Sequence, residues 1–140
     1  MKELMAWSEC EQRFIRKVEP DLEKAKSILE MVLERGAFLK SIPVSEKSVS
    51  FVFENYYEMV KELLIALMLK KGLRSGNHQC LFTFFAREYH YEAEVNIIKQ
   101  MNFLRNRLEY YGERVDYAYF MENYKNFEKI IQLLIKMVKE

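Results

Sequence analysis

The sequence predicts an all-α domain, an antiparallel up-and-down bundle of four to five helices. Three observations carry that prediction. Apolar residues recur at intervals of three and four along most of the chain; only four glycines and two prolines punctuate it; and no stretch alternates apolar with polar residues as a strand does. At 140 residues the chain is long enough for one core and short for two. Residues 1–140 are therefore expected to form a single domain, with residues 1–18 as a helical N-terminal extension.

The elements follow in order. A short helix over about Leu4 to Lys17 comes first. Pro20 suits the first turn of the next helix, whose apolar positions Leu22, Ala25, Ile28, Leu29 and Val32 share one face, with Gly36 and Ala37 softening its end. The segment SIPVSEKS is a break: Pro43 ends the preceding helix, and Ser45 or Ser48 caps the following one by accepting from its free N–H groups. That helix runs to about Lys71, burying Val52, Tyr56, Val60, Leu63 and Leu67 while Glu54, Glu58, Lys61 and Glu62 face water. Gly72 supplies its left-handed stop, and Lys70 and Lys71 complement the negative end of its dipole. After the basic loop KKGLRSGNHQ, Asn77 caps a short, aromatic-rich helix over about His78 to Glu88. A longer helix, about Glu92 to Tyr111, places Ile97, Met101, Leu104 and Leu108 on one stripe and closes at Gly112. The last, about Asp116 to Lys139, carries Tyr117, Phe120, Tyr124, Phe127, Ile131, Leu134 and Val138 at alternating steps of three and four. Such a seam serves either packing within one bundle or contact with a second copy.

Half the residues are hydrophobic, 31% are charged and the formal net charge is +1. That balance excludes a disordered chain and wholesale electrostatic capture of nucleic acid, so any phosphate contact has to be local. The longest apolar run, Leu63 to Leu69, falls far short of the roughly 18 residues of a spanning helix, so no membrane partner is expected. MKELMAWSECEQ lacks the apolar core of a secretory signal, which makes the cytoplasm the expected location. Cys10 and Cys80 lie far apart without CxxC spacing and are expected as reduced thiols, in neither a disulfide framework nor a zinc site. Abundant glutamate and lysine with scarce glutamine lean toward a thermophile.

No Gly-rich phosphate loop, HExxH, EF-hand or paired Glu-x-x-His motif occurs, so no cofactor or metal is expected. His78 and His90 are the two histidines, and either is able to act as a base or to sit in solvent near a helix junction. Lys70, Lys71 and Arg74 form an isolated basic patch that helix-end neutralisation also explains. The remaining candidate is RNRLEYYG, Arg105 to Gly112. At about 100° per residue, Asn102, Arg105, Asn106 and Glu109 fall in one arc, opposite Leu104, Leu108, Met101 and Ile97 and flanked by Tyr110. Amides beside an arginine are costly on a buried face unless hydrogen-bonded and ordinary on a wet one, so the residues alone favour an exposed surface.

The order of elements resembles the HEPN family over about Pro20 to Val138. A long helix ends near SIP, a second carries ENYYEMVKELLIALMLKKGL, SGNH precedes a short aromatic helix, and FLRNRLEYYG leads to a final long helix. The resemblance implies an all-α bundle, usually homodimeric and often encoded beside a minimal nucleotidyltransferase. Many members are metal-independent ribonucleases whose motif is an arginine, a polar residue, and a histidine a little over one turn beyond the arginine. On this chain the arginine corresponds to Arg105 and the polar residue to Asn106. The histidine position is Tyr110, a departure, because a phenol with pKa near 10 is a poor base at neutral pH. The tyrosine that family toxins present for adenylylation falls on Gly112, which leaves Tyr110 or Tyr111 as substitutes. The resemblance thus implies a nucleotidyltransferase partner in a toxin–antitoxin or nucleotide-responsive pair. Such a protein binds RNA or nucleotide phosphate through Arg105 and Asn106, with Tyr110 replacing the base or accepting modification. The alternatives are a metal-independent ribonuclease using Arg105, Asn106 and Tyr110, and a structural adaptor whose polar stripe faces solvent.

Overall fold

A computed structural model describes residues 3–140. Its described residues form six helices, α1 (Trp7–Arg13), α2 (Leu22–Lys40), α3 (Val49–Lys70), α4 (His78–Tyr89), α5 (Glu92–Tyr111) and α6 (Tyr117–Lys139). Two two-residue strands, β1 (Arg16–Lys17) and β2 (Leu73–Arg74), complete them. The expected all-α bundle is the observed architecture, and α3 is its axis, in contact with α2, α4, α5 and α6. The sequence of α3 accounts for this. Apolar residues lie on most sides of it, and a helix apolar on most sides has to be surrounded.

That central position corrects the expected faces of α3. Tyr57, not Tyr56, is the fully buried tyrosine; Tyr56 is half-buried and leans on the Phe120 ring at 5.5 Å. Glu54, Glu58, Lys61 and Glu62, expected in open water, are only partly exposed, and the Lys61 ammonium pairs with Glu58 at 2.5 Å.

The ends of the helices are set by local chemistry. Asp21 accepts from the Lys24 N–H at 3.0 Å, so Pro20 stands just before the cap of α2 rather than within its first turn. Ser48 occupies the N-cap of α3, but its hydroxyl donates to the Pro43 carbonyl and accepts from the Ser45 N–H, tightening the turn instead of the helix end. Asn77 caps α4 as expected, accepting from the Cys80 N–H at 3.1 Å. Gly72 and Gly112 end α3 and α5 in the left-handed region, at φ 74° and 64°.

The N-terminal region departs most from expectation. α1 is shorter than predicted, and the chain beyond it forms β1, which pairs antiparallel with β2 and sets Arg16 opposite Arg74. Cys10 and Cys80 are joined in a disulfide with their Cα atoms 5.6 Å apart, so the reduced-thiol expectation is overturned. Their separation of 70 residues was no obstacle, because β1–β2 pairing and a 2.7 Å bond from Thr83 Oγ1 to the Met5 carbonyl carry α1 onto α4.

α6 spends its seam inside the chain. Phe120, Phe127, Ile131, Leu134 and Val138 are buried, Phe127 meets Phe53 edge-on at 5.7 Å, and Lys70 Nζ donates to the Val138 carbonyl at 2.8 Å. No described helix is long and apolar enough to cross a membrane.

Candidate functional site: a polar seam between α3, α4 and α5

Periodicity places the apolar stripe of α5 inward, but the structure turns the helix toward its polar arc. Val95, Ile98, Met101 and Asn102 are its buried residues, and the next along that line is Arg105, whose side chain is 20% exposed. Ile97, Leu104 and Leu108 are only half-buried. The expected exposed surface is therefore a sheltered one. A hydrogen bond from Tyr57, 45 residues away in sequence, makes the burial of Asn102 tolerable.

The organising atom is the Tyr57 hydroxyl. It donates to Asn102 Oδ1 at 2.9 Å and lies 2.8 Å from His78 Nδ1. A phenol has one proton. With that proton on Asn102, the contact to His78 runs from Nδ1–H to the phenol oxygen, which leaves the lone pair of the neutral imidazole on Nε2. His78 stands at the first position of α4, where Asn77 caps the helix, and is half-buried.

Arg105 enters the seam from α5. Its guanidinium carbon lies 5.9 Å from the centre of the Tyr57 ring, and one terminal nitrogen is 3.6 Å from Glu109 Oε1. That distance exceeds a charge-assisted hydrogen bond of roughly 2.7–2.9 Å, so Glu109 offsets the charge without satisfying the fork of donors. Arg105 Nε is buried with no hydrogen-bond partner among the described residues.

The local electrostatics follow from this crowding. Burial lowers the His78 pKa below its ordinary 6.5, and the positive charges of Lys61 and Arg105 push the same way, against Glu58 and the Asn102 contact. Burial raises the Tyr57 phenol well above its usual value, so it remains protonated. The Glu54 carboxyl is also raised, first by burial and then by the facing Glu109, with Arg105 opposing.

The residues singled out from the sequence separate here. Arg105 joins the seam. Asn106 instead borders an adjacent open groove of about 650 Å³, walled by Met5, Gln79, Lys99 and Phe103 and sharing Asn102 with the seam. Tyr110 is 73% exposed near the C-terminal end of α5 and makes no hydrogen bond or ring contact with a described residue. Tyr111 is similarly exposed, beneath the Arg107 guanidinium at 4.9 Å, which Glu113 in turn clasps. His90 is exposed in the left-handed turn that ends α4. The Lys70, Lys71 and Arg74 patch disperses, with Lys70 on the end of α6, Lys71 3.8 Å from Glu88, and Arg74 in β2.

No known sequence family, curated protein or solved structure matches this chain. The site therefore has to be read from its own residues. Tyr57 is the member that sequence reasoning missed, since neighbouring Tyr56 fits the same helix nearly as well. His78 was visible only as a histidine at a helix start. Among the described residues, no group of three or more His, Cys, Asp or Glu side chains converges as metal ligands would.

Proposed function

We propose that this chain is a HEPN-like helical protein that binds a phosphate of RNA or of a nucleotide at the Arg105 seam. In this reading it is a homodimer and works beside a nucleotidyltransferase in a toxin–antitoxin or nucleotide-responsive pair. The observation that carries the binding part is the incomplete pairing of Arg105. A guanidinium held against a ring face, with its side chain 20% exposed and one loosely placed carboxylate at 3.6 Å, keeps terminal N–H donors for phosphate oxygens. Asn106 and Lys99 on the neighbouring groove suit the ribose or base attached to that phosphate.

The same reading places the protein in the cytoplasm. A lasting Cys10–Cys80 bond is ordinary there chiefly in hyperthermophiles, in line with the glutamate- and lysine-rich composition.

The test is titration of fluorescein-labelled single-stranded RNA and of ATP by fluorescence anisotropy and competition. Arg105→Ala is expected to weaken binding about 10- to 100-fold, the equivalent of the roughly 1.5–3 kcal/mol of a hydrogen bond to a charged group. Asn106→Ala is expected to weaken it less. Equal affinity of wild type and Arg105→Ala would remove this reading and leave the structural adaptor. The ribonuclease alternative draws support from one further observation, the presence of His78 beside Arg105.

A further inference from the structure

We infer that the pocket between the end of α1, the β1–β2 pair, the start of α2 and the last turns of α3 binds a chain of two or three phosphates, free or carried by a nucleotide. The pocket is separate from the seam of α5. Neither Arg105 nor any other residue of α5 lines it, so the inference does not depend on the reading of Arg105.

Its charge is one-sided. A cavity of about 420 Å³ opens among Arg13, Arg16, Lys24 and Arg74, and no carboxylate lines it. The chain as a whole is nearly neutral, with 22 basic against 21 acidic side chains, so four cations around one cavity are a local excess. Among the described residues Arg16, Lys24 and Arg74 form no ion pair and no side-chain hydrogen bond, and Arg13 has only Glu9, at 3.5 Å.

Strand pairing makes this arrangement costly without an anion. The antiparallel register sets Arg16 directly opposite Arg74, which sends both side chains to the same face, and like charges so placed repel. The ladder, the 2.9 Å bond from the Val18 N–H to the Gly72 carbonyl and the Cys10–Cys80 bond just before Arg13 hold the segments together against that repulsion. An anion between the guanidinium groups turns repulsion into attraction.

The rest of the lining sharpens the field. Phe14, Ile65 and Leu69 form apolar walls, and the Arg13 guanidinium lies 5.4 Å from the centre of the Phe14 ring. A cleft of one sign with walls of low polarity focuses its field on whatever enters. Guanidinium forks match phosphate oxygens two at a time, and three of the four cations are arginines. A lone phosphate has too little charge for four such partners, whereas a chain of two or three spreads its charge over them. The cations come from α1, β1, α2 and β2 and converge on one hollow, instead of forming the stripe that the backbone of a nucleic acid follows.

The experiment is isothermal titration calorimetry of the full oxidised chain, at low ionic strength and without divalent metal, with orthophosphate, AMP, tripolyphosphate and ATP. Tripolyphosphate and ATP are expected to bind at least about 10-fold more tightly than orthophosphate and AMP. Arg16→Gln with Arg74→Gln is expected to weaken both by about 10- to 100-fold. Without ligand that paired variant is expected to melt no lower than wild type, because the repulsion is gone. Lys24→Gln, outside the ladder, is expected to weaken both about 5-fold and keeps the test valid if the paired variant misfolds. ATP binding more tightly than tripolyphosphate, with Phe14→Ala removing the difference, makes the source a nucleotide; an ATP affinity no higher makes it the free chain. Arg105→Ala is expected to leave tripolyphosphate binding unchanged. Wild type that binds neither compound, or variants at Arg16, Lys24 and Arg74 that bind as wild type does, overturn the inference. Loss with Arg105→Ala alone also overturns it, by moving the anion to α5. Single-stranded RNA that displaces tripolyphosphate more readily per phosphate would make the ligand a polymer and overturn it too.

Discussion

At the scale of single residues, the Tyr57 hydroxyl holds three helices to one another, and its worth depends on both partners being present. Asn102→Leu would remove the acceptor of the phenol proton and leave only His78 Nδ1, in its other tautomer, to take it. A loss of about 1–3 kcal/mol in urea denaturation is expected, the usual cost of an unmade buried bond. Adding Tyr57→Phe to that variant is expected to recover part of the loss, because no phenol proton then remains to be satisfied. If the double variant is instead as unstable as the sum of the singles, the two side chains do not act as a pair.

At the scale of elements, the turns were legible and the rotations were not. Asn77 and Gly112 announced their helix boundaries because capping and left-handed stops depend on a few adjacent atoms. The facing of α5 was hidden because Asn102 is satisfied from 45 residues away, by a tyrosine whose neighbour fits the helix pattern almost as well. Arg105 was legible as one member of a polar arc and His78 as a residue at a helix start, but nothing local to either shows that Tyr57 brings them to one seam. The glycine stops also differ in a way no sequence reveals. A Cβ at Gly72 would come within 2.7 Å of the Val18 carbonyl oxygen, whereas one at Gly112 meets open space. Gly72→Ala is therefore expected to cost about 1–3 kcal/mol, combining a left-handed backbone with a clash, and Gly112→Ala about 1 kcal/mol from the backbone alone. Thermal melts of the two variants side by side would show the difference, and equal shifts would mean that Val18 yields freely.

At the scale of the whole molecule, the Cys10–Cys80 bond ties the least embedded helix to the site-bearing one. Its closure spans 70 residues, for which the chain-entropy argument gives about 4 kcal/mol, with measured cases running from roughly 0 to 5. A Cys10→Ser, Cys80→Ser chain is expected to melt well below the oxidised wild type and close to wild type held in reductant. Matching melts of all three would show that the bond contributes nothing. β1, α2, α3 and β2 lie inside the covalent loop, and α5 and α6 lie outside it. The chain is thus a ring with a short tail at one end and a long one at the other. A protease nick in the Ser41–Ser48 turn opens the ring without parting the pieces, so a single band on a gel would not mean an uncut chain until electrons had been supplied.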